Sequence, residues 1–409
     1  MPSITINTYD ESVFARTEAT NGFTVYVPLV VKQIPTGESD VYKRVTTLSQ
    51  LESSYYTANT APTDATQLIS YNYAKGLLAK GYALLVKPLT KAKTDESAGG
   101  TAVTTAADAI SALATDTTQM AITDKFLYDV DFLTDGGLCA GVPSDTASLS
   151  ANYVKVYTNL NTVATSRADC MVVVGLYNGC AQDKANSALG TTTSEFMTAP
   201  YGPSIKVPIM GVPTKMDGAF VFLSTLAESL RSRNVWYPPA GVSRMTIRNA
   251  SDPDYEISGA TLDAWQNNVP SGKHPVNPIM NIRNYGYTIF GQRTMKYGDP
   301  QSSFRNINTT LVTNVIKKTI FNVGIGLMFD QNEVNTWTLF KTRLGNTLEA
   351  IQADRGITDY RIIMDETTTT PDDLAANRLR GKVYISVVNI VEDIVVDFYI
   401  EPQAVTFED

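Results

Sequence analysis

The run "ATQLISYNYAKGLLAKGYALLVKPL", residues 65–89, constrains this chain more than any other stretch. Leu68, Ile69, Leu77 and Leu78 recur at helical spacing, Gly81 stops the helix, and Ala83 to Val86 reads as a buried strand. The passage recurs. "FLYDVDFLT" (126–134) is an expected strand running into a Gly-Gly turn. A helix follows with Leu149, Tyr153, Val156, Leu160 and Val163 on one face, and "SRADCMVVVGL" (166–176) returns as a buried strand. A third helix near Phe222, Leu223, Leu226 and Leu230 leads into "NVWYPPAGV". Helix, glycine and strand in alternation require a parallel or mixed sheet covered by helices, so the middle of the chain is α/β.

Around that block the patterns change. "FTVYVPLVV" (23–31) reads as a strand interrupted by Pro28, and residues 91–119, rich in Thr, Ala, Asp and Gly, read as a flexible surface insert. The last third reads as α+β. It has a helix over 309–323 with Val312, Val315, Ile316, Thr319 and Ile320 inward, and then a longer helix carrying Val334, Trp337, Phe340, Leu344, Leu348 and Ile351, ended by Gly356. Two strands close it, "KVYISVVNI" and "DIVVDFYIE"; in the second, Ile394, Val396, Phe398 and Ile400 alternate with Val395, Asp397, Tyr399 and Glu401. The expected division is an arm over 1–20, a β-rich α/β domain over 21–95, a middle α/β domain over 96–270, a C-terminal domain over 271–400 and an arm over 401–409.

Chemistry finds little purchase. His274 is the one histidine of the 409 residues, and it reads as a solvent-exposed turn residue rather than a general base, because no Gly-x-Ser-x-Gly elbow is present. Cys139, Cys170 and Cys180 have no metal-ligand spacing and read as thiols in a reducing compartment. "SDPDYE" and "TPDD" lack the calcium-loop pattern, and "GIG" at 324–326 follows a helix instead of opening one. No cofactor is therefore expected. A net charge of −8 argues against direct nucleic-acid binding, the N-terminus lacks a signal-peptide pattern, and no apolar run reaches membrane-spanning length. Charged residues are only 18% of the chain, which fits a surface covered by copies of itself. The basic pair Lys317-Lys318 is either a docking patch or a solvated helix face.

Six segments, in order, resemble the tail sheath proteins of contractile phages and related injection systems. They are "ATSRADCMVVVGL", "WYPPAG", "VNPIMNIRNYGYTIFGQRTM", "FRNINTTLVTNVIKKTI", "FDQNEVNTWTLFKTRLGNTLEAIQADRGI" and "GKVYISVVNIVEDIVVDFYI". Asn308-Thr309-Thr310 stands where the family usually has a basic pair. The resemblance implies a non-catalytic, subtilisin-like middle domain and a C-terminal domain of two helices and a terminal hairpin, flanked by extended arms. It implies hexameric rings stacked around a tail tube, contracting to drive the tube through the host envelope. The implied partners are other copies of the chain, the tube, the baseplate and the tail terminator, with no membrane insertion. The implied location is a virion tail assembled in bacterial cytoplasm. Linking residues would be Ile4, Thr5, Ile6 and Asn7 at one end and Ile400, Glu401, Val405 and Phe407 at the other. They would add strands to a hairpin presenting Val383, Ile385, Val387, Ile394, Val396 and Phe398, with Lys317 and Lys318 facing the tube. The competing readings are a phage hydrolase with a degenerate triad, which needs His274 beside a serine and a carboxylate, and a tube or baseplate component.

Overall fold

The computed structural model describes residues 22–34, 42–58, 60–90, 105–116, 118–141, 147–202, 204–251, 272–296 and 302–390, with Val103 and a few positions between 252 and 271. Contacts divide the chain into two compact units, 1–330 and 331–409, a boundary inside the segment expected as one C-terminal domain.

The first unit is built on β1 (Thr24–Val31), every residue of which is buried. Then come β2 (Lys43–Val45), α1 (Leu48–Tyr55), α2 (Ala65–Ala79), β3 (Ala83–Thr90), α3 (Ala106–Thr115), β4 (Phe132–Leu133), α4 (Ala147–Arg167) and β5 (Met171–Val173). The short α5 (Gln182–Ala185) and β6 (Met197–Thr198) complete a six-stranded sheet ordered β2-β3-β1-β4-β5-β6. Only the β2 edge is antiparallel; the other pairings are parallel. Period-two alternation divides the core into two layers. Tyr26, Val30, Leu85, Leu133 and Val172 pack with α3 and α4, while Val25, Val27, Leu29, Val31, Leu84 and Val173 pack with α1, α2 and α6 (Gly218–Leu230). This is the helix-covered, mostly parallel sheet that the helix-glycine-strand passages require.

Three local expectations change. Pro28 does not interrupt β1, which pairs continuously with β3 from Thr24 to Val31. A proline sits in a strand where one side needs no ladder. β4 pairs only with Val25 and Tyr26, so beside Pro28 stands the Gly136 turn instead of a strand. "FLYDVDFLT" contributes only Phe132 and Leu133 as strand, and Phe126 and Leu127 are exposed. The 91–119 insert holds α3 from residue 106. A Thr105–Asp108 capping box starts it, and Ala109, Ile110 and Leu113 are buried against α4. The Thr-x-x-Asp signature was in the sequence, hidden by small residues that looked like linker. Residues 91–102 lie outside the described ones.

The rest of the first unit holds β7 (Pro200–Tyr201), the hairpin β8 (Ile205–Ile209) and β9 (Val212–Met216), α7 (Leu262–Gln266), β10 (Asn277–Ile282), β11 (Gly286–Ile289) and α8 (Ile307–Ile325). The stretch expected as one strand after His274 is a hairpin: β10 and β11 pair antiparallel around Asn284 and Gly286, both at positive φ, and β10 also pairs parallel with β7. Asn277 ties it in place. Its amide donates to Thr198 Oγ1 (2.9 Å) and the Arg293 carbonyl (2.7 Å) and accepts from Arg293 N (2.7 Å). A Cβ on Gly291 would stand 2.8 Å from Asn277 Oδ1, so the Asn and the Gly-x-Arg-Thr segment form one structural clamp.

The second unit is small. α9 (Val334–Ala353) buries Trp337, Phe340, Leu344, Leu348 and Ile351, the expected stripe, and packs on β12 (Ile357–Ile363). α10 (Pro371–Ala375) starts at a Thr370–Asp373 capping box, and β13 (Lys382–Val387) pairs antiparallel with β12. Because α9 supplies most of this unit's buried apolar side chains among the described residues, Leu348→Ala should lower stability by about 2–5 kcal/mol, read as a lower urea midpoint in Trp337 fluorescence.

Candidate interface and buried carboxylates

β12 and β13 form a two-stranded sheet among the described residues, so each strand keeps one edge without a strand partner there. Val383, Ile385 and Val387 are half-buried on one face of β13, while Lys382, Tyr384 and Ser386 lie exposed on the other. The sequence placed β13's partner in the closing segment. The partner seen is β12, whose "ITDYRII" was not read as a strand because Asp359 and Arg361 break its apolar run. Ile394, Val396, Phe398, Ile400, Glu401, Val405 and Phe407, like Ile4, Thr5, Ile6 and Asn7, lie outside the described residues.

Lys317 and Lys318 sit on α8 with their charges engaged inside the first unit. Lys318 Nζ is 2.6 Å from Asp129 Oδ1 and 2.5 Å from Asp131 Oδ1, and its side chain is 19% exposed. Asp131 in turn accepts from Thr24 N at 2.7 Å, tying α8 to the start of β1. Lys317 Nζ lies over the Phe196 ring, 5.2 Å from its centroid, and burial pulls its pKa down. A docking role for the pair would have to break these contacts.

His274 is fully buried, correcting the exposed-turn reading. Its Nε2 accepts from Leu189 N at 3.3 Å, its Nδ1 lies 3.4 Å from the Pro275 carbonyl, and burial lowers its pKa to about 4. These partners hold a neutral ring that staples the α5 turn to the entry of β10. Neither a serine nor a carboxylate is among them, which is what a hydrolase triad would need.

The densest polar cluster was not read from the sequence. Asp135 follows β4, Gly175 lies just beyond the adjacent parallel strand β5, and Asp217, which ends the β8–β9 hairpin, caps α6. Asp135 accepts from Gly137 N (3.3 Å) and Cys139 N (2.7 Å), and Asp217 Oδ1 accepts from Phe220 N (3.0 Å). A Cβ on Gly175 would meet Asp217 Oδ2 at 2.1 Å and Asp135 Oδ1 at 3.2 Å, so the carboxylates face each other across that glycine. Tyr73, Tyr153, Tyr157 and Cys139 enclose them, all fully or nearly fully buried. Desolvation raises both acids, and Asp217, facing Asp135 as well, reaches about 8. The pair therefore keeps a proton at neutral pH. Buried this completely, it meets no substrate; it is a structural acid pair. Its trace in the sequence is "TDGG" after a strand and "MDGAF" before a helix.

Comparison with known proteins follows the fold. A family model described as the phage tail sheath C-terminal domain matches residues 299–401, the span of α8, α9, β12, α10 and β13. That segment is similar to the C-terminal domain of phage tail sheath proteins. The chain is 24% identical over 163 residues to a tail sheath protein of Vibrio phage KVP40, a match covering 40% of this chain and 23% of that protein. It is 25% identical over 174 residues to the tail sheath protein of Enterobacteria phage T4, covering 42% and 25%. The aligned stretch thus spans about a quarter of the length of these sheath proteins. Its fold is similar along nearly its whole length to a chain of the anti-feeding prophage baseplate, with TM-score 0.68, 16% identity and coverage of 98% of this chain and 99% of that one. A contracted sheath complex of the PVC extracellular contractile injection system matches at TM-score 0.64 and 16% identity, covering 98% and 97%.

Proposed function

We propose that this chain is a sheath subunit that polymerises as stacked hexameric rings around a tail tube and contracts to drive the tube through a cell envelope. The observation that carries this is the sheath-family match over 299–401, joined to a whole-chain fold like that of contractile sheath chains. The described parts suit such a subunit. The parallel sheet is sealed on both faces and would move as a rigid body, while the 331–409 unit offers a short sheet with open edges. Residues 3–7 of one copy and 400–407 of another would add strands to the β13 sheet of a neighbour, using backbone hydrogen bonds that net about 1 kcal/mol each. Val383, Ile385 and Val387 set the register, because a slip of one residue turns them to the other face. The same reading takes the sheet of the first unit as a subtilisin-like fold without catalysis, and the tube, the baseplate and the terminator as partners.

Electron microscopy of the purified full chain tests this. Hollow, striated cylinders are the expected result, and globular particles at every salt and concentration would count against it. A variant lacking residues 1–15 should keep wild-type circular dichroism and lose the cylinders; normal cylinders would remove the N-terminal arm from the proposal.

A further inference from the structure

The end of α8 carries an apolar surface that the sheath reading leaves unused. Phe321 and Ile325 lie one helical turn apart, and Met328 and Phe329 continue the row in the turn beyond. Phe126 packs on Phe321 with ring centroids 5.4 Å apart, and Leu127 is its neighbour in sequence. Phe126, Leu127, Met328 and Phe329 are 69%, 72%, 53% and 101% exposed, far more than a helix end of this size normally leaves open. Phe329 is also left-handed, at φ 72°, a conformation strained for any residue with a side chain. Burial in the described residues does not offset that strain.

The start of β1 lies beside α8. Phe23, Val315 and Lys318 line one small cavity, which puts Phe23 beside α8, at the near end of the row. The stretch preceding β1 is "TYDESVFARTEATN", residues 8–21, whose large apolar side chains are Tyr9, Val13 and Phe14. Phe14 is nine residues before Phe23, a reach of about 30 Å when extended. Val315 to Phe329 spans about 21 Å at helical rise, so Phe14 reaches the far end of the row with slack. Asp10 and Glu11 are opposite in charge to Lys125, whose ammonium lies over the Phe321 ring at 5.9 Å and 3.9 Å from Asp169 Oδ2.

We infer that residues 8–21 dock in cis on the row of half-buried Phe321 and exposed Ile325, Met328 and Phe329, seating Val13 and Phe14 there and fixing where the arm ahead of them leaves the subunit. The inference does not depend on the sheath reading, since it concerns one copy of the chain.

The test uses the full-length chain carrying Phe14→Cys and Met328→Cys, treated with a short bismaleimide. The three native cysteines are buried, so the introduced pair is what reacts. The expected product is an internal cross-link in the monomer band, formed about tenfold more slowly when Ile325→Ser and Phe329→Ser are added, as loss of two apolar contacts implies. An unchanged rate in that background would mean chance collision of a tether and overturn the docking. No cross-link would overturn it too. Cross-links between chains would assign the row to a second copy and equally overturn docking in cis.

Discussion

Asp217→Asn should raise the stability of the first unit at pH 8 and leave it nearly unchanged near pH 4. The folded pKa of Asp217 is raised to about 8, against 3.8 for an ordinary aspartate. Below pH 3.8 the group is protonated in both states and costs nothing. As pH rises from there to about 8, the unfolded chain ionises while the folded chain keeps the proton, and stability falls by about 1.4 kcal/mol per pH unit for this group. The full loss across the window is on the order of 5 kcal/mol. Asparagine is neutral throughout, still caps α6 through the Phe220 N hydrogen bond, and can donate to the facing Asp135. Thermal melts of wild type and variant from pH 4 to 9 should therefore diverge with rising pH. Parallel curves would show that the pair carries no shared proton.

Gly136→Ala should be among the most damaging single changes in the sheet. Gly136 has φ 70°, and an added Cβ would stand 2.2 Å from the Pro28 carbonyl oxygen, a backbone atom that cannot swing away. The left-handed backbone costs roughly 1–2 kcal/mol and the overlap about 1–3 more. Gly190→Ala is the control. Its φ is 61° but nothing lies within 4 Å, so only the backbone cost of roughly 1–2 kcal/mol applies. Urea midpoints should separate the two clearly; equal losses would mean that the turn relaxes away from Pro28.

Those two sites also mark the limit of sequence reading here. A glycine pair after a strand is visible as a turn, but its contact with a proline more than a hundred residues away is not. Asp135 and Asp217 each look like ordinary turn and cap residues; only the tertiary packing of the start of α6 against the ends of β4 and β5 places them face to face at Gly175. His274 reads as exposed because Lys273 and Pro275 flank it, yet its burial depends on the α5 turn, far away in sequence. Lys318 reads as free charge until Asp129 and Asp131 fold onto it.

The sequence alone determined the α/β character of the first unit, the α9 stripe, the strand at β13 and the ordered segments that resemble a sheath. These follow from local periodicity, which the chain carries with it wherever it folds. Tertiary structure decided the strand order, the β12 partner of β13, the buried acid pair and which charges stay free, because each depends on neighbours that the sequence does not place side by side.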